Sequence, residues 1–147
     1  MKRYIGTKIV DAKPMSRADY YKHRGWGPLP DESSADEGFL VEYLDGGPAN
    51  HPAHAGYISW SPRAVFERAY RDVNDMTFGQ AIEALKDGRK VARKEWNRKG
   101  LYLELQVPNE YSKTTYIYMQ YPSEKVKDTG PWLVSQTDML AEDWMIV

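Results

Sequence analysis

Thr77-Phe-Gly-Gln-Ala-Ile-Glu-Ala-Leu-Lys-Asp-Gly88 is the stretch on which the fold turns. Thr77 with Gln80 three residues on forms a capping box, which satisfies two orphan backbone donors at a helix start. Phe78, Ala81, Ile82 and Leu85 then make one apolar stripe, and Gly88 follows the last turn as a C-cap. Downstream lie three runs of strand composition, Lys90 to Glu95, Leu101 to Val107 and Thr115 to Tyr121. The turn composition Pro108-Asn109-Glu110 separates the last two. Leu133-Val134 and Trp144 to Val147 read as short edge strands, with Ser135 or Thr137 capping a helical turn through Leu140. The prediction is a helix packed on a small antiparallel sheet.

Upstream, the pattern predicts a second unit of the same kind. Tyr4 to Val10 reads as a strand that ends before Pro14, and Ser16 with Asp19 starts a short helix. Gly25 to Gly38 is loop composition. Phe39 to Leu44 and Gly56 to Trp60 read as strands around Asp45-Gly-Gly-Pro-Ala-Asn-His-Pro-Ala-His54, a long hairpin connection. Ser61 as N-cap and Pro62 at the first helical position predict a helix to about Arg71, with Val65, Phe66, Ala69 and Tyr70 at helical spacing. Asp72-Val-Asn-Asp75 breaks that pattern. The expected fold is therefore α+β, two compact units at 1–73 and 76–147, each a small antiparallel sheet packed on a helix. Units this small bury a limited core, so packing together or self-association is expected.

Composition excludes several classes of function. A formal net charge of −1 argues against a protein that neutralises a nucleic-acid backbone, which needs clustered Lys and Arg in excess. No cysteine is present, so disulfides and thiolate metal sites are out. Met1-Lys-Arg-Tyr-Ile-Gly-Thr-Lys8 has basic residues but no apolar segment after them, and no apolar run approaches the ~20 residues of a membrane span. The expectation is a soluble, cytoplasmic chain without nucleic-acid or membrane partners. Aromatics at 13% exceed what a minimal core requires, which places some rings at surfaces or interfaces.

No set of residues reads as catalytic. His51-Pro-Ala-His54 lies in a Pro/Gly loop without a carboxylate or cysteine partner in the pattern, and only His23 remains as a third imidazole; the pair reads as incidental. There is no Gly-x-Ser-x-Gly elbow, Walker loop or Gly-x-Gly-x-x-Gly turn. Glu142-Asp143 reads as a solvated turn. No catalytic residue, metal ligand or cofactor is assigned.

The second half carries a different set. Trp96 is followed by Asn97-Arg98-Lys99-Gly100, whose Asn can recognise amides or base edges and whose Lys can meet a phosphate, and then by Tyr102. Trp132 and Trp144 bracket Ser135-Gln136-Thr137-Asp138, where backbone N–H groups at a helical start form an anion site. These parts suit stacking a base and holding its phosphates. They equally suit core rings and a plain helix cap.

Three stretches are recognisable together: Met76 to Gly88, Val91-Ala-Arg-Lys-Glu-Trp-Asn-Arg-Lys-Gly-Leu-Tyr-Leu103, and Trp132-Leu-Val-Ser-Gln-Thr-Asp-Met-Leu-Ala-Glu-Asp-Trp144. They resemble the second family of Thoeris anti-defence proteins, small phage proteins. The resemblance implies a non-enzymatic sponge in the host cytoplasm that binds glycocyclic ADP-ribose, in some members cyclic di- or trinucleotides, without degrading it. It also implies a homotetramer with pockets between protomers. Carried over, the ligand-binding positions are Arg93, Trp96, Asn97, Lys99, Tyr102, Ser135, Gln136 and Asp138. Arg98 stands where members often have Gly, and Ala92 where a second basic residue is frequent. The first half resembles a phage accessory module of unknown function. The alternative for the whole chain is a non-catalytic phage protein–protein interaction module.

Overall fold

The computed structural model describes residues 1–29, 32–96, 100–121 and 131–147, with 32 and 33 described through their backbone alone. Contacts divide the chain into Met1–Tyr70 and Arg71–Val147. Among the described residues there are two antiparallel sheets, of three and four strands, with four α-helices, which is the expected α+β class. No helix among them is long and apolar enough to cross a membrane.

The first unit runs β1 (Asp11–Pro14), α1 (Arg17–His23), a 3-10 turn (Glu32–Ala35), β2 (Gly38–Tyr43), β3 (Tyr57–Pro62) and α2 (Arg63–Ala69). Its sheet has the order β1-β2-β3. The predicted strand at Tyr4 to Val10 is displaced: the pairing falls on Asp11–Pro14, where Asp11 faces Glu42 and Pro14 faces Phe39. Tyr4 and Ile5 are exposed. Strand propensity located a strand here, but partnership with β2 decided its register. Ser16 caps α1 as expected, its Oγ accepting the Asp19 N–H at 3.1 Å.

The second helix begins one residue later than predicted. Pro62 is still paired with Gly38 and serves as the N-cap, with no side-chain capping bond, so Ser61 is not the cap. Phe39, Phe66 and Tyr70 stack in series at 4.1 and 5.0 Å and lay α2 on β2, while Val65 stays exposed. Tyr20, Leu40 and Ile58 form the buried cluster, flanked by Met15, Tyr21 and Trp60. Gly38 is required by packing: a Cβ there would collide with the Trp60 ring and the Ser61 carbonyl.

The second unit runs α3 (Phe78–Lys86), β4 (Val91–Arg93), β5 (Tyr102–Gln106), β6 (Tyr116–Gln120), α4 (Gln136–Leu140) and β7 (Trp144–Ile146). The sheet order is β6-β5-β4-β7, antiparallel throughout. Trp144 to Val147 was read as an edge strand, and β7 is one. Leu133-Val134 is not a strand; Leu133 is exposed, and the nearby link to the sheet is Trp132 N–H donating to the Ile117 carbonyl at 2.7 Å.

The core forms where α3 lies on one sheet face. Met76, Ala81, Ala84, Leu85, Val91, Leu103 and Trp144 are buried together. The capping box is complete: Thr77 Oγ1 accepts the Gln80 N–H at 3.3 Å and Gln80 Oε1 accepts the Thr77 N–H at 3.0 Å. Gly88 follows the helix at φ +80, a left-handed conformation that costs any other residue. Thr77→Ala removes one side of the box and is expected to cost about 1 kcal/mol of unfolding free energy, read from the urea midpoint at unchanged slope.

Candidate functional site

Arg93 ends β4, and the register that pairs it with Trp144 sets Asp143 beside its guanidinium. The side chain is 7% exposed and donates three charge-assisted bonds. Nε donates to Asp143 Oδ1 at 2.8 Å, Nη1 to Asp138 Oδ1 at 2.7 Å, and Nη2 to Glu95 Oε2 at 2.8 Å. A planar fork with fixed donors is the group that can hold three carboxylates in this way.

The acids are themselves fixed. Asp143 Oδ2 accepts the Glu95 N–H at 3.1 Å, and Asp138 Oδ2 accepts from Ser135 Oγ at 2.6 Å. Ser135 Oγ in turn accepts the Asp138 N–H at 3.0 Å, so Ser135 caps α4. Burial opposes charge on both acids, yet hydrogen bonds reverse it. The Ser135 hydroxyl, Arg93 and Trp96 hold Asp138 below the usual carboxylate range. Arg93 and the Glu95 N–H do the same for Asp143. Burial also opposes charge on Arg93, and Asp143 and Asp138 outweigh it, so the guanidinium stays ionised.

Beside this ionic group stands an aromatic cluster. Trp144 is fully buried, with Phe78, Trp96 and Trp132 at 5.4, 5.5 and 6.1 Å between ring centroids. Its Nε1–H donates to the Asp138 carbonyl at 3.0 Å, which ties the cluster to α4. Trp96 and Trp132 meet edge-on at 6.3 Å and remain half-buried. Trp144 is therefore core, while Trp96 and Trp132 each keep a partly open surface.

The residues singled out by sequence separate into groups. Arg93, Trp96, Ser135 and Asp138 come together. Gln136 is exposed at the first position of α4. Tyr102 lies on the opposite sheet face: Leu103 and Leu105 of β5 point to the core, so Tyr102 and Glu104 point away. There Lys90 Nζ sits 4.6 Å from the Tyr102 ring centre and 3.7 Å from Glu104. Tyr118 Oη donates to Glu104 Oε2 at 2.6 Å; burial first, and then Glu104, raise its pKa above the usual tyrosine range. Asn97 and Lys99 lie outside the described residues.

At the turn read as an anion site, the Asp138 N–H is bonded to Ser135 Oγ, and the Asp138 carboxylate accepts from the Ser135 hydroxyl and Arg93. One expectation changes. Asp143, read as part of a solvated turn, is instead a half-buried ligand of Arg93; Glu142 alone is exposed, 3.1 Å from Arg71 Nη2. Sequence reading missed Asp143 and Glu95 as partners of Arg93. Glu95 lies two residues from Arg93 and was open to local reading, whereas Asp143 reaches Arg93 through the β4–β7 register, which no local pattern displays.

In the first unit the histidines are also not scattered. His23, His51 and His54 converge, and Glu42 is the carboxylate partner that the local pattern around His51 and His54 did not reveal.

A short helix on one face of a four-stranded antiparallel sheet, with an ionic and aromatic cluster at α4, defines the second unit as a small α+β domain. The Thoeris anti-defense 2-like domain profile matches residues 76–147. The chain is 37% identical over 84 residues to "Thoeris anti-defense 2" of Bacillus phage SP01, an alignment that covers 49% of this chain and 94% of that protein. Through its second unit, the chain belongs to the Thoeris anti-defense 2-like family.

Proposed function

We propose that the second unit acts against Thoeris defence by capturing a cyclic nucleotide-type signal, glycocyclic ADP-ribose or a cyclic di- or trinucleotide, and holding it uncleaved. The observation that carries this reading is that the family match extends over residues 76–147, from α3 to β7, a range that takes in the Arg93–Asp138–Ser135 group and Trp96, Trp132 and Trp144. The SP01 relative bears the name of an anti-defence protein, and nearly all of it aligns.

Within this reading the residues divide by role. Arg93, Ser135 and Asp138 satisfy one another and hold the shape of the site. Trp96 offers an aromatic face, Gln136 an exposed amide, and Asn97 and Lys99 polar contacts to base and phosphate. Tyr102 lies on the other sheet face, so it reaches the same ligand by being presented from a second copy of the chain. The reading therefore includes the homotetramer with pockets between protomers, which size-exclusion chromatography with light scattering checks directly.

The deciding experiment is to mix the chain with glycocyclic ADP-ribose or a cyclic trinucleotide, remove free ligand, and heat-denature the complex. Intact ligand is expected back. Return of an altered ligand makes the protein an enzyme, and no uptake leaves the interaction-module reading. Exposed Leu133 and Leu140 around α4 are where a protein partner would then sit. Trp96→Ala is expected to weaken ligand binding by about 1–3 kcal/mol, the usual worth of one stacked base, measured by isothermal titration. Unchanged affinity removes Trp96 from the site.

A further inference from the structure

Three imidazoles from two separate stretches of chain, His23 and the His51–His54 loop, meet in the first unit, outside the family match. His23 is the last residue of α1, and His51 and His54 sit in the connection between β2 and β3. One ring nitrogen from each lies within 4.8 Å of the others. The His23 and His51 rings stack at 4.4 Å, and His54 stands edge-on to His23 at 5.0 Å. His23 Nε2 faces His54 Nε2 at 2.8 Å.

Glu42, on β2, completes the arrangement. Its Oε2 accepts the Nδ1–H of His54 at 2.7 Å, and its Oε1 accepts the Gly56 N–H at 2.9 Å. A carboxylate pinned at both oxygens keeps the His54 proton on Nδ1 and turns the Nε2 lone pair toward His23. Metal-binding histidines are oriented in this way. His51 is held more lightly: Nδ1 accepts the Ala53 N–H at 3.2 Å and Nε2–H donates to the His23 carbonyl at 2.9 Å.

We propose that His23, His51 and His54 bind a divalent transition-metal ion of the zinc class, with Glu42 orienting His54 and water as the fourth ligand. Neutral imidazole suits zinc, copper or nickel, whereas calcium and magnesium need oxygen ligands. Tetrahedral zinc–nitrogen bonds place ligating nitrogens about 3.3 Å apart, so the His23–His54 pair opens by about 0.5 Å and any wider separation closes by at most about 1.5 Å. His51 gives up one of its two backbone bonds to do so. A groove lined by Asp11, Ala12, Lys13, Leu40, Glu42 and His54 borders the Glu42–His54 pair. Among the described residues the buried cluster of this unit is small, Tyr20, Leu40 and Ile58 with Val41 buried besides, and a metal linking α1 to the β2–β3 connection adds a cross-link to it.

The test uses the tag-free full chain, stripped with chelator and titrated with Zn²⁺ against a chromophoric competitor, then with Co²⁺. The expected result is about one equivalent bound, a tetrahedral cobalt spectrum and a raised thermal midpoint. Loss of uptake is expected in His54→Gln and His23→Gln, and affinity about 10–100-fold weaker in Glu42→Gln. Imidazole ¹⁵N shifts of the wild-type chain give a readout that needs no variant to fold: zinc-induced changes at all three histidines, the chain's full complement, support the site. No uptake, uptake that leaves any of the three imidazoles unshifted, or full uptake by a folded His54→Gln chain overturns it.

Discussion

Trp144→Ala is expected to unfold the second unit under conditions in which the wild-type chain is folded. Trp144 is fully buried, and Phe78, Trp96 and Trp132 all pack on its ring. Truncating a buried tryptophan costs about 3–5 kcal/mol through lost transfer energy and the cavity left behind. Loss of the indole N–H also removes one of two donors to the Asp138 carbonyl, which keeps the Ala141 N–H at 3.3 Å, a further loss of about 1 kcal/mol. Whole domains have only about 5–15 kcal/mol in total, and a unit of this size sits near the low end. Two backbone bonds, Met76 N–H to the Trp144 carbonyl at 2.8 Å and its reciprocal at 3.2 Å, anchor the chain entering α3 and are expected to fray with the ring gone. Amide exchange at Val91 and Leu103 is the measurement, because both are buried and belong to neighbouring strands. Protection equal to wild type would mean that the sheet does not depend on this ring. Trp144→Phe keeps most of the ring, so its loss should be much smaller.

The elements that were legible in the sequence are those decided within a few residues. The Thr77–Gln80 box, the Ser16 cap, the α3 stripe and Gly88 each involve neighbours along the chain, and each is where the pattern put it. Elements decided by partners were not legible. Tyr4 to Val10 has the propensity of a strand but is in no sheet among the described residues, while Asp11–Pro14 has little propensity and pairs with β2. The same division runs through the site. Ser135 was readable as a cap, because its bond partner Asp138 is three residues away. The bond of Arg93 to Asp143 spans fifty positions, and that of His23 to His54 thirty-one, so neither shows as a motif. Sequence named Arg93 and Asp138 but left open that they bind each other.

Arg93→Ala tests what that pairing does. Removing the guanidinium leaves Asp138 and Asp143, with side chains 18% and 22% exposed, without their counter-charge; breaking such a pair costs about 3 kcal/mol or more. The effect carries a pH signature. Both acids have folded-state pKa values below their unfolded value of about 3.9, so the stability they contribute is complete above that value and is lost as pH falls through the folded one. Arg93→Ala lacks the contribution at every pH. The gap between variant and wild type is therefore widest near neutrality and narrows below about pH 4, as followed by urea midpoints across the acid range. A gap independent of pH would assign the loss to packing of the side chain. Arg93→Lys separates shape from contact. Lysine keeps the charge but has a single nitrogen, which cannot reproduce the fork across three carboxylates. If Arg93 holds the site's shape, stability and ligand affinity fall together in Arg93→Lys. If it touches the ligand, affinity falls further than stability does.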